Sequence, residues 1–168
     1  MIKTFLVVLF VFFTSIFAHA QKAKYQVDII YRLSQHFTWP ETAEDQKFVI
    51  GVVCSAADFD SFKKHAMSKK VFQDHPIEVR RYDCNGPIEP CDLLYISNEF
   101  KNEMKLILEQ TKDLPTLIIS DQEGFGRMGS VINFVDKNGK LKFELNQDQA
   151  NRRGLQVSEK LKNIAIII

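Results

Sequence analysis

The unbroken apolar run FVIGVVC, residues 48–54, has the length of a strand that is covered on both faces. Two shorter runs of the same kind follow it, Leu93–Ile96 and Leu117–Ile119. Another segment, Ile77–Tyr82, alternates apolar and polar residues and predicts a further strand. Helical patterns separate these runs. Strictly alternating strands and helices are typical of a parallel sheet with helices on its faces.

Three amphipathic helices are predicted around these strands. The first covers Tyr25–Phe37 and ends at Trp39-Pro40, because the residue before proline is pushed out of the helical region. The second follows Ser55, which can cap it together with Asp58, and the third runs from Ser97 or Asn98 to residue 110.

The pattern changes after residue 130. Val131–Val135 and Leu141–Leu145 predict two strands of a hairpin, because Asn138-Gly139 between them is a strong turn signal. Asn146 is predicted to cap a short helix that ends at Gly154. Residues 155–162 predict a last helix, and 164–168 a final strand or a packed tail. The fold class is therefore α/β: a single domain with a largely parallel sheet flanked by helices, a C-terminal β-hairpin and short helices.

The first twenty residues match a secretory signal peptide. Lys3 precedes an apolar run at residues 5–13, and Ala18-His19-Ala20 places small residues where a signal peptidase cuts. The run is too short to span a bilayer as a helix. We expect residues 1–20 to be a signal peptide, residues 21–168 to form one domain, and the protein to be periplasmic without stable membrane insertion.

Charge and motifs argue against several function classes. The chain has 22 basic and 21 acidic residues, which gives no nucleic-acid footprint. The segment GFGRMG, residues 124–129, has dinucleotide-binding spacing, but a β-branched hairpin follows where that motif needs a helix. Histidine and cysteine spacing is not that of a metal site, and no nucleophile elbow occurs. We expect no metal, no cofactor and no enzymatic activity.

The three cysteines, Cys54, Cys84 and Cys91, raise the question of a disulfide. An oxidising compartment favours one bridge and one leftover thiol. Cys84 and Cys91 flank a turn-rich loop that can bring them within reach of each other, and Cys54 with Cys91 is the rival pairing. Trp39 is the only tryptophan, and it either covers the core or anchors an interface.

Four C-terminal segments occur in an order and spacing that closely resemble the signature of the YfiR family of bacterial secreted proteins. They are Gly124-Phe125, Ile132–Phe134, Lys142–Asn146 and Arg153–Leu161. The N-terminal part agrees through Phe37–Pro40 and Cys91–Ile96, so the resemblance covers residues 24–165. The signature residues that we single out are Asn133, Phe134, Glu144, Asn146, Arg153, Gly154, Leu155, Ser158 and Lys160.

The resemblance implies a periplasmic repressor. Its best understood relative binds the periplasmic sensor region of a membrane-bound diguanylate cyclase and lowers cyclic di-GMP signalling. Other members lie near sensor histidine kinases or outer-membrane receptors, and such proteins act as dimers tuned by cysteine oxidation. Cys91 stands where the family has a cysteine, but the expected partner position is Gly51, which departs from the family pattern.

We therefore expect a non-enzymatic regulator that binds and represses the extracytoplasmic domain of a diguanylate cyclase or histidine kinase, with homodimers possible. The candidate contact residues are Phe37, Trp39, Gly124, Phe125, Gly126 and Arg127. The alternative function is a periplasmic small-molecule sensor. Its ligand would lie at the carboxyl edge of the strands, near Ser55, Ser97 and Ser120, where α/β folds usually bind ligands.

Overall fold

The computed structural model describes residues 24–40 and 46–168. The predicted signal peptide, residues 1–20, lies outside the described residues. In the described part, no helix combines the length and the apolar character that crossing a bilayer requires.

An eight-stranded sheet organises the domain, and a pair of two-residue strands lies beside it. In chain order the elements are α1 (residues 24–34), β1 (Phe37–Thr38), β2 (Phe48–Val53), α2 (Ala56–Met67), β3 (Val71–Phe72), β4 (His75–Arg81), β5 (Leu93–Ile96), a 3-10 turn (Asn98–Phe100), α3 (Met104–Gln110), β6 (Leu117–Ser120), α4 (Phe125–Met128), β7 (Ile132–Lys137), β8 (Lys140–Leu145), α5 (Gln147–Arg152), β9 (Gln156–Val157), α6 (Glu159–Lys162) and β10 (Ile166–Ile167).

The strand order across the large sheet is β10-β8-β7-β6-β5-β2-β4-β3. Neighbours from β4 through β7 pair in parallel, β8 is antiparallel to β7, β10 is parallel to β8, and β3 is antiparallel to β4. The predicted largely parallel α/β fold with a C-terminal hairpin is confirmed. In β5 every side chain is buried, as the apolar run predicts for a strand covered on both faces.

Successive side chains of the central strands enter two different cores. Leu93 and Tyr95 of β5 belong to one cluster with α1 and α2, whereas Leu94 and Ile96 belong to another with Met104 of α3. The period of two along each strand is what sends neighbours to opposite faces of the sheet. Helices therefore cover both faces.

Local signals in the sequence placed most boundaries correctly. The side chain of Ser55 caps α2 by accepting from the Asp58 amide. Asn146 caps α5 by accepting from the Gln149 amide. Asn138 and Gly139 both have positive φ, 58° and 72°, as the two-residue turn between β7 and β8 requires.

Three predicted helices are wrong in part. The first ends at residue 34 and the last shrinks to α6, because β1 and β9 pair with each other, with Phe37 opposite Val157. Tyr25, the first residue of the predicted helix, is 58% exposed. The third helix is split, because Ser97 caps a separate 3-10 turn and α3 begins only at Met104.

Candidate functional site

The glycine-rich segment, residues 124–129, forms a tight helical turn, α4. Gly124 and Gly129 bound it with φ of 87° and 138°, conformations that favour glycine. Phe125 is fully buried and packs in the cluster with α3. A Cβ added at Gly126 would lie 2.6 Å from the Ile168 Cδ1 atom and 2.7 Å from the Glu144 Oε2 atom. Glycine at position 126 therefore lets α4 lie directly against the sheet.

A polar network lies in the sheet beneath α4, and a separate hydrogen bond from Asn146 holds α4. The Asn133 side chain accepts from Ser120 Oγ at 2.8 Å and donates through Nδ2 to Glu144 Oε2 at 2.9 Å. Asn146 Nδ2 donates to the carbonyl of Gly126 at 2.9 Å. Ser120 and Asn133 are fully buried, and buried polar groups that find partners make a rigid arrangement. Of the signature residues, Asn146 thus holds the glycine turn by a hydrogen bond, while Asn133 and Glu144 lie directly beneath Gly126.

Most other signature residues also build the fold. Arg153 is buried, and its Nη1 donates to the carbonyls of Thr111 at 2.6 Å and Leu114 at 3.3 Å, just past the end of α3. Burial lowers the pKa of this guanidinium. Gly154 has a φ of 71°. Ser158 caps α6 by accepting from the Leu161 amide.

The last three signature positions divide between core and surface. Phe134 and Leu155 are buried, while Lys160 is exposed.

Burial removes three of the six candidate contact residues from the surface. Phe37, Phe125 and Gly126 are all buried, so a partner cannot reach them without unfolding the core. Gly124 and Arg127 are exposed.

Trp39 is half-buried and belongs with the core. Its Nε1 donates to the Asp92 carbonyl at 2.9 Å, and its ring lies edge-on to Phe48 and Phe72, with ring centroids 5.2 and 5.8 Å away. The interpretation that Trp39 covers the core therefore fits the structure better than an interface anchor.

Arg127 opens onto a concave surface of about 450 Å³, which we call the Arg127 surface. It is lined by Arg127, Asn146, Asp148, Gln149, Arg152, Ile167 and Ile168. In the described part of the chain, no carboxylate forms a salt bridge with Arg127 or Arg152. Ile167 is 48% exposed. Sequence reasoning missed Arg152, Ile167 and Ile168, because only the pairing of β10 with β8 brings them to α4.

A larger cleft of about 620 Å³ lies at the amino edge of the parallel strands, and we call it the Trp39 cleft. One wall carries an ion-pair chain in which Glu78 contacts Lys47 at 3.0 Å and Arg80 at 2.7 Å. Asp92 Oδ2 accepts from the Val49 amide at 2.6 Å, and burial raises the pKa of this carboxyl. The full lining is Trp39, Pro40, Gln46, Lys47, Val49, Glu78, Arg80, Pro90, Cys91, Asp92, Leu114, Pro115 and Thr116.

The carboxyl edge of the strands, where a ligand was expected, uses its serines internally. Ser55 and Ser97 are helix caps, and Ser120 is fully buried in the α4 network. Asp121 at this edge accepts from the Tyr95 hydroxyl at 2.9 Å and from Gln26 Nε2 at 3.2 Å, which ties α1 to the sheet. The expected location of a small-molecule site is therefore not supported.

The three cysteines are free, buried thiols, so the predicted Cys84–Cys91 bridge is not formed in the structure. Burial raises the pKa of the Cys91 thiol to about 12 and that of Cys54 to about 11. A Cβ at Gly51 would lie 2.6 Å from the Tyr82 ring, so this ring fills the space that a larger side chain at position 51 would need. Each thiol is accommodated as a small apolar side chain.

Solved structures share this fold at low sequence identity. The ABC domain in complex with L-Trp from Streptococcus pneumoniae superposes with a TM-score of 0.60 at 14% identity, covering 87% of this chain and 60% of that one. A conserved domain protein from Vibrio cholerae superposes with a TM-score of 0.63 at 12% identity, covering 86% of this chain and 59% of that one. The chain thus spans about 60% of the length of the first of these structures.

The solved structures show the fold, and sequence comparison shows the family. No curated protein matches the chain. The family described as YfiR/HmsC-like matches residues 23–166, which include α4, the hairpin and every signature residue. The chain therefore belongs to the YfiR/HmsC-like family.

Proposed function

We propose that this protein is a non-enzymatic periplasmic regulator that binds and represses the extracytoplasmic domain of a membrane diguanylate cyclase or histidine kinase. Membership of the YfiR/HmsC-like family supports a regulatory role in the periplasm. The single observation that carries the proposal is the Arg127 surface, where two guanidinium groups without salt bridges stand beside exposed isoleucine.

The Arg127 surface has the composition of a binding hot spot. Arginine is enriched among the residues that dominate interface energies, and apolar neighbours exclude water around it. The hydrogen bond from Asn146 to the Gly126 carbonyl holds the turn that carries Arg127, so less backbone entropy is lost on docking. Met128, the neighbour of Arg127 in the chain, is 50% exposed and adds a flexible apolar side chain.

Repression by docking requires a difference in affinity for two states of the partner. A regulator that binds the inactive state of the sensor about tenfold more tightly than the active state shifts that equilibrium by about 1.4 kcal/mol. No chemical step is needed for such a shift.

The test is titration of this protein against purified extracytoplasmic domains of the membrane diguanylate cyclases and histidine kinases of the same organism. Arg127→Glu is expected to weaken the complex by about ten- to a hundredfold, the range of an interfacial charge reversal. Lys64→Glu, an equal charge change on the exposed face of α2, is the matched control and leaves affinity unchanged. Failure to detect a complex at high micromolar concentration contradicts the proposal, as does an equal effect of the two variants.

Export is part of the same proposal. Residues 1–20 act as a cleaved signal peptide, and residues 21–168 form the periplasmic domain. Cell fractionation followed by intact-mass measurement should find a periplasmic chain that begins at Gln21. Full-length protein in the cytosolic fraction would refute this part.

A second function, small-molecule sensing, is favoured by the Trp39 cleft. Its volume falls within the range of ligand sites, and it combines apolar and charged walls. One protein of similar fold was solved with L-Trp. In a thermal-shift screen, L-Trp or another amino acid should raise the melting temperature of this protein, since a ligand that binds only the folded state stabilises it. Asp92→Asn abolishes that shift if the cleft is the site, and a flat screen argues against the function.

A further inference from the structure

Strand β10 forms one edge of the large sheet, and its outer side has no neighbouring strand in the described part of the chain. Ile167 stands opposite Leu145 of β8, and the Ile168 amide donates to the Leu145 carbonyl at 3.1 Å. In a parallel ladder, alternate residues direct their backbone groups to opposite sides. The N–H and C=O of Ile167 therefore point away from β8, towards the open edge.

The two edge strands of the large sheet, β3 and β10, differ in how they are protected from pairing with another strand. Natural edge strands are protected by charges, proline or irregular backbone. The β3 edge follows Lys69-Lys70, and its hairpin partner β4 carries Pro76 near its start. Residues 164–168 read Ile-Ala-Ile-Ile-Ile and place no charge and no proline on β10 itself, so its two-residue length is the only such protection within the strand. Ile164 and Ile167 are 64% and 48% exposed.

The charge of the surface beside β10 indicates which kind of strand can pair with this edge. Arg127 and Arg152 line the concave surface that also contains Ile167 and Asp148, and neither arginine forms a salt bridge with a described residue. The two guanidinium groups outnumber the one carboxylate side chain of the lining, so an acidic segment is the complementary occupant. A strand added to β10 would have its side chains next to these two guanidinium groups. Acidic side chains on that strand would form charge-assisted pairs with them.

We propose that the partner docks by adding an extended, acidic segment as a further strand on β10. This inference rests on the proposed function and specifies how the Arg127 surface is used. Backbone bonds to Ile167 supply affinity, and the two arginines select for acidic side chains. A second copy of this chain is disfavoured as the occupant, because antiparallel pairing of two β10 strands gathers four arginines at one junction.

The first test is residue-resolved amide exchange of this protein, free and in complex with the extracytoplasmic domain that binds it in the titration above. The Ile167 amide should exchange rapidly in the free protein and at least about tenfold more slowly in the complex. Unchanged exchange at Ile167 in a complex that does form overturns strand addition while leaving the proposed function intact. Protection of Ile167 in the isolated protein at high concentration overturns it in favour of self-association.

Two substitutions at one position provide the second test. Ile167→Pro removes the outward N–H but none of the bonds to β8, and it should weaken the complex about tenfold more than Ile167→Ala, which keeps that N–H. Equal affinities of the two variants overturn the proposal. If thermal melting shows that Ile167→Pro is unfolded, the exchange measurement on the unsubstituted protein decides alone. Absence of any complex defeats the proposed function and this inference together.

Discussion

Gly51 in the central strand β2 provides the sharpest test of how the sheet is packed. An alanine Cβ at this position would lie 2.6 Å from the Tyr82 Cε2 atom and 2.8 Å from the Leu94 Cδ1 atom. Ordinary carbon contacts begin near 3.4 Å, so the Tyr82 ring would have to retreat by about 0.8 Å. Tyr82 and Leu94 are both buried and belong to the core beneath α3, which limits that retreat.

Gly51→Ala should therefore destabilise the domain by about 1–3 kcal/mol, the usual cost of overpacking a core. For a chain of this size, that lowers the melting temperature by about 3–10 °C. Calorimetry or circular dichroism melting measures the change. Gly154→Ala is a poor control because its φ of 71° adds backbone strain, whereas Gly86→Ala meets only contacts of 3.5 Å or more and is the matched one.

A double-mutant cycle identifies the cause. Tyr82→Leu alone is destabilising because it opens space in the core, but combining it with Gly51→Ala should recover about 1 kcal/mol or more of the alanine penalty. Strict additivity of the two changes would refute the reasoning, as would a Gly51→Ala variant that melts with the unsubstituted protein. The same geometry predicts that a cysteine introduced at position 51 also collides with Tyr82.

Arg153→Met should cost about 2–4 kcal/mol in chemical denaturation, because it leaves two buried carbonyls without their charged donor, and Arg153→Lys should recover part of the loss. Burial raises the pKa of Asp92, so the contribution of this carboxyl to stability is fully present below the unfolded pKa of about 3.9 and is lost as pH rises through the folded pKa. Asp92→Asn should remove this contribution, so the melting temperature of the variant should vary less with pH across that acidic range. A variant with the pH profile of the unsubstituted protein contradicts this. In native protein at pH 8, Cys91, with a pKa of about 12, is thiolate in only about one molecule in ten thousand, so alkylation of Cys91 should be negligible. In denaturant, the protein should carry three adducts, at Cys54, Cys84 and Cys91. A single adduct under denaturing conditions, instead of three, would indicate that two of the cysteines form a disulfide.

Much of the fold could be predicted because its signals are local. The run Leu93–Ile96 coincides with β5, since four consecutive apolar residues can be buried only where both faces of a strand are covered. Asn138-Gly139 specified the hairpin through the positive φ values that the turn requires. Ser55 and Asn146 specified helix starts through their capping oxygens.

The candidate site was less predictable, because aromatic residues and glycines near a turn do not reveal their depth. Phe37 and Phe125 suggested an interface but are core residues. Arg127, named as a candidate contact residue, is exposed, but Arg152 and Ile167, which line the same surface, are distant from it in sequence. Nothing in residues 155–162 indicates that β9 pairs with β1, so the helical pattern there was misleading.

By itself, then, the sequence determined the alternation of strands and helices, the turn at Asn138-Gly139 and the family, because each depends on residue order and local backbone preference. Only the tertiary structure decided that β10 forms an open edge of the sheet, that the Tyr82 ring fills the space beside Gly51, and that Arg127 and Arg152 line one surface with Ile167. Those features arise where segments remote in the chain come into contact, and long-range packing is not encoded in any single stretch of residues.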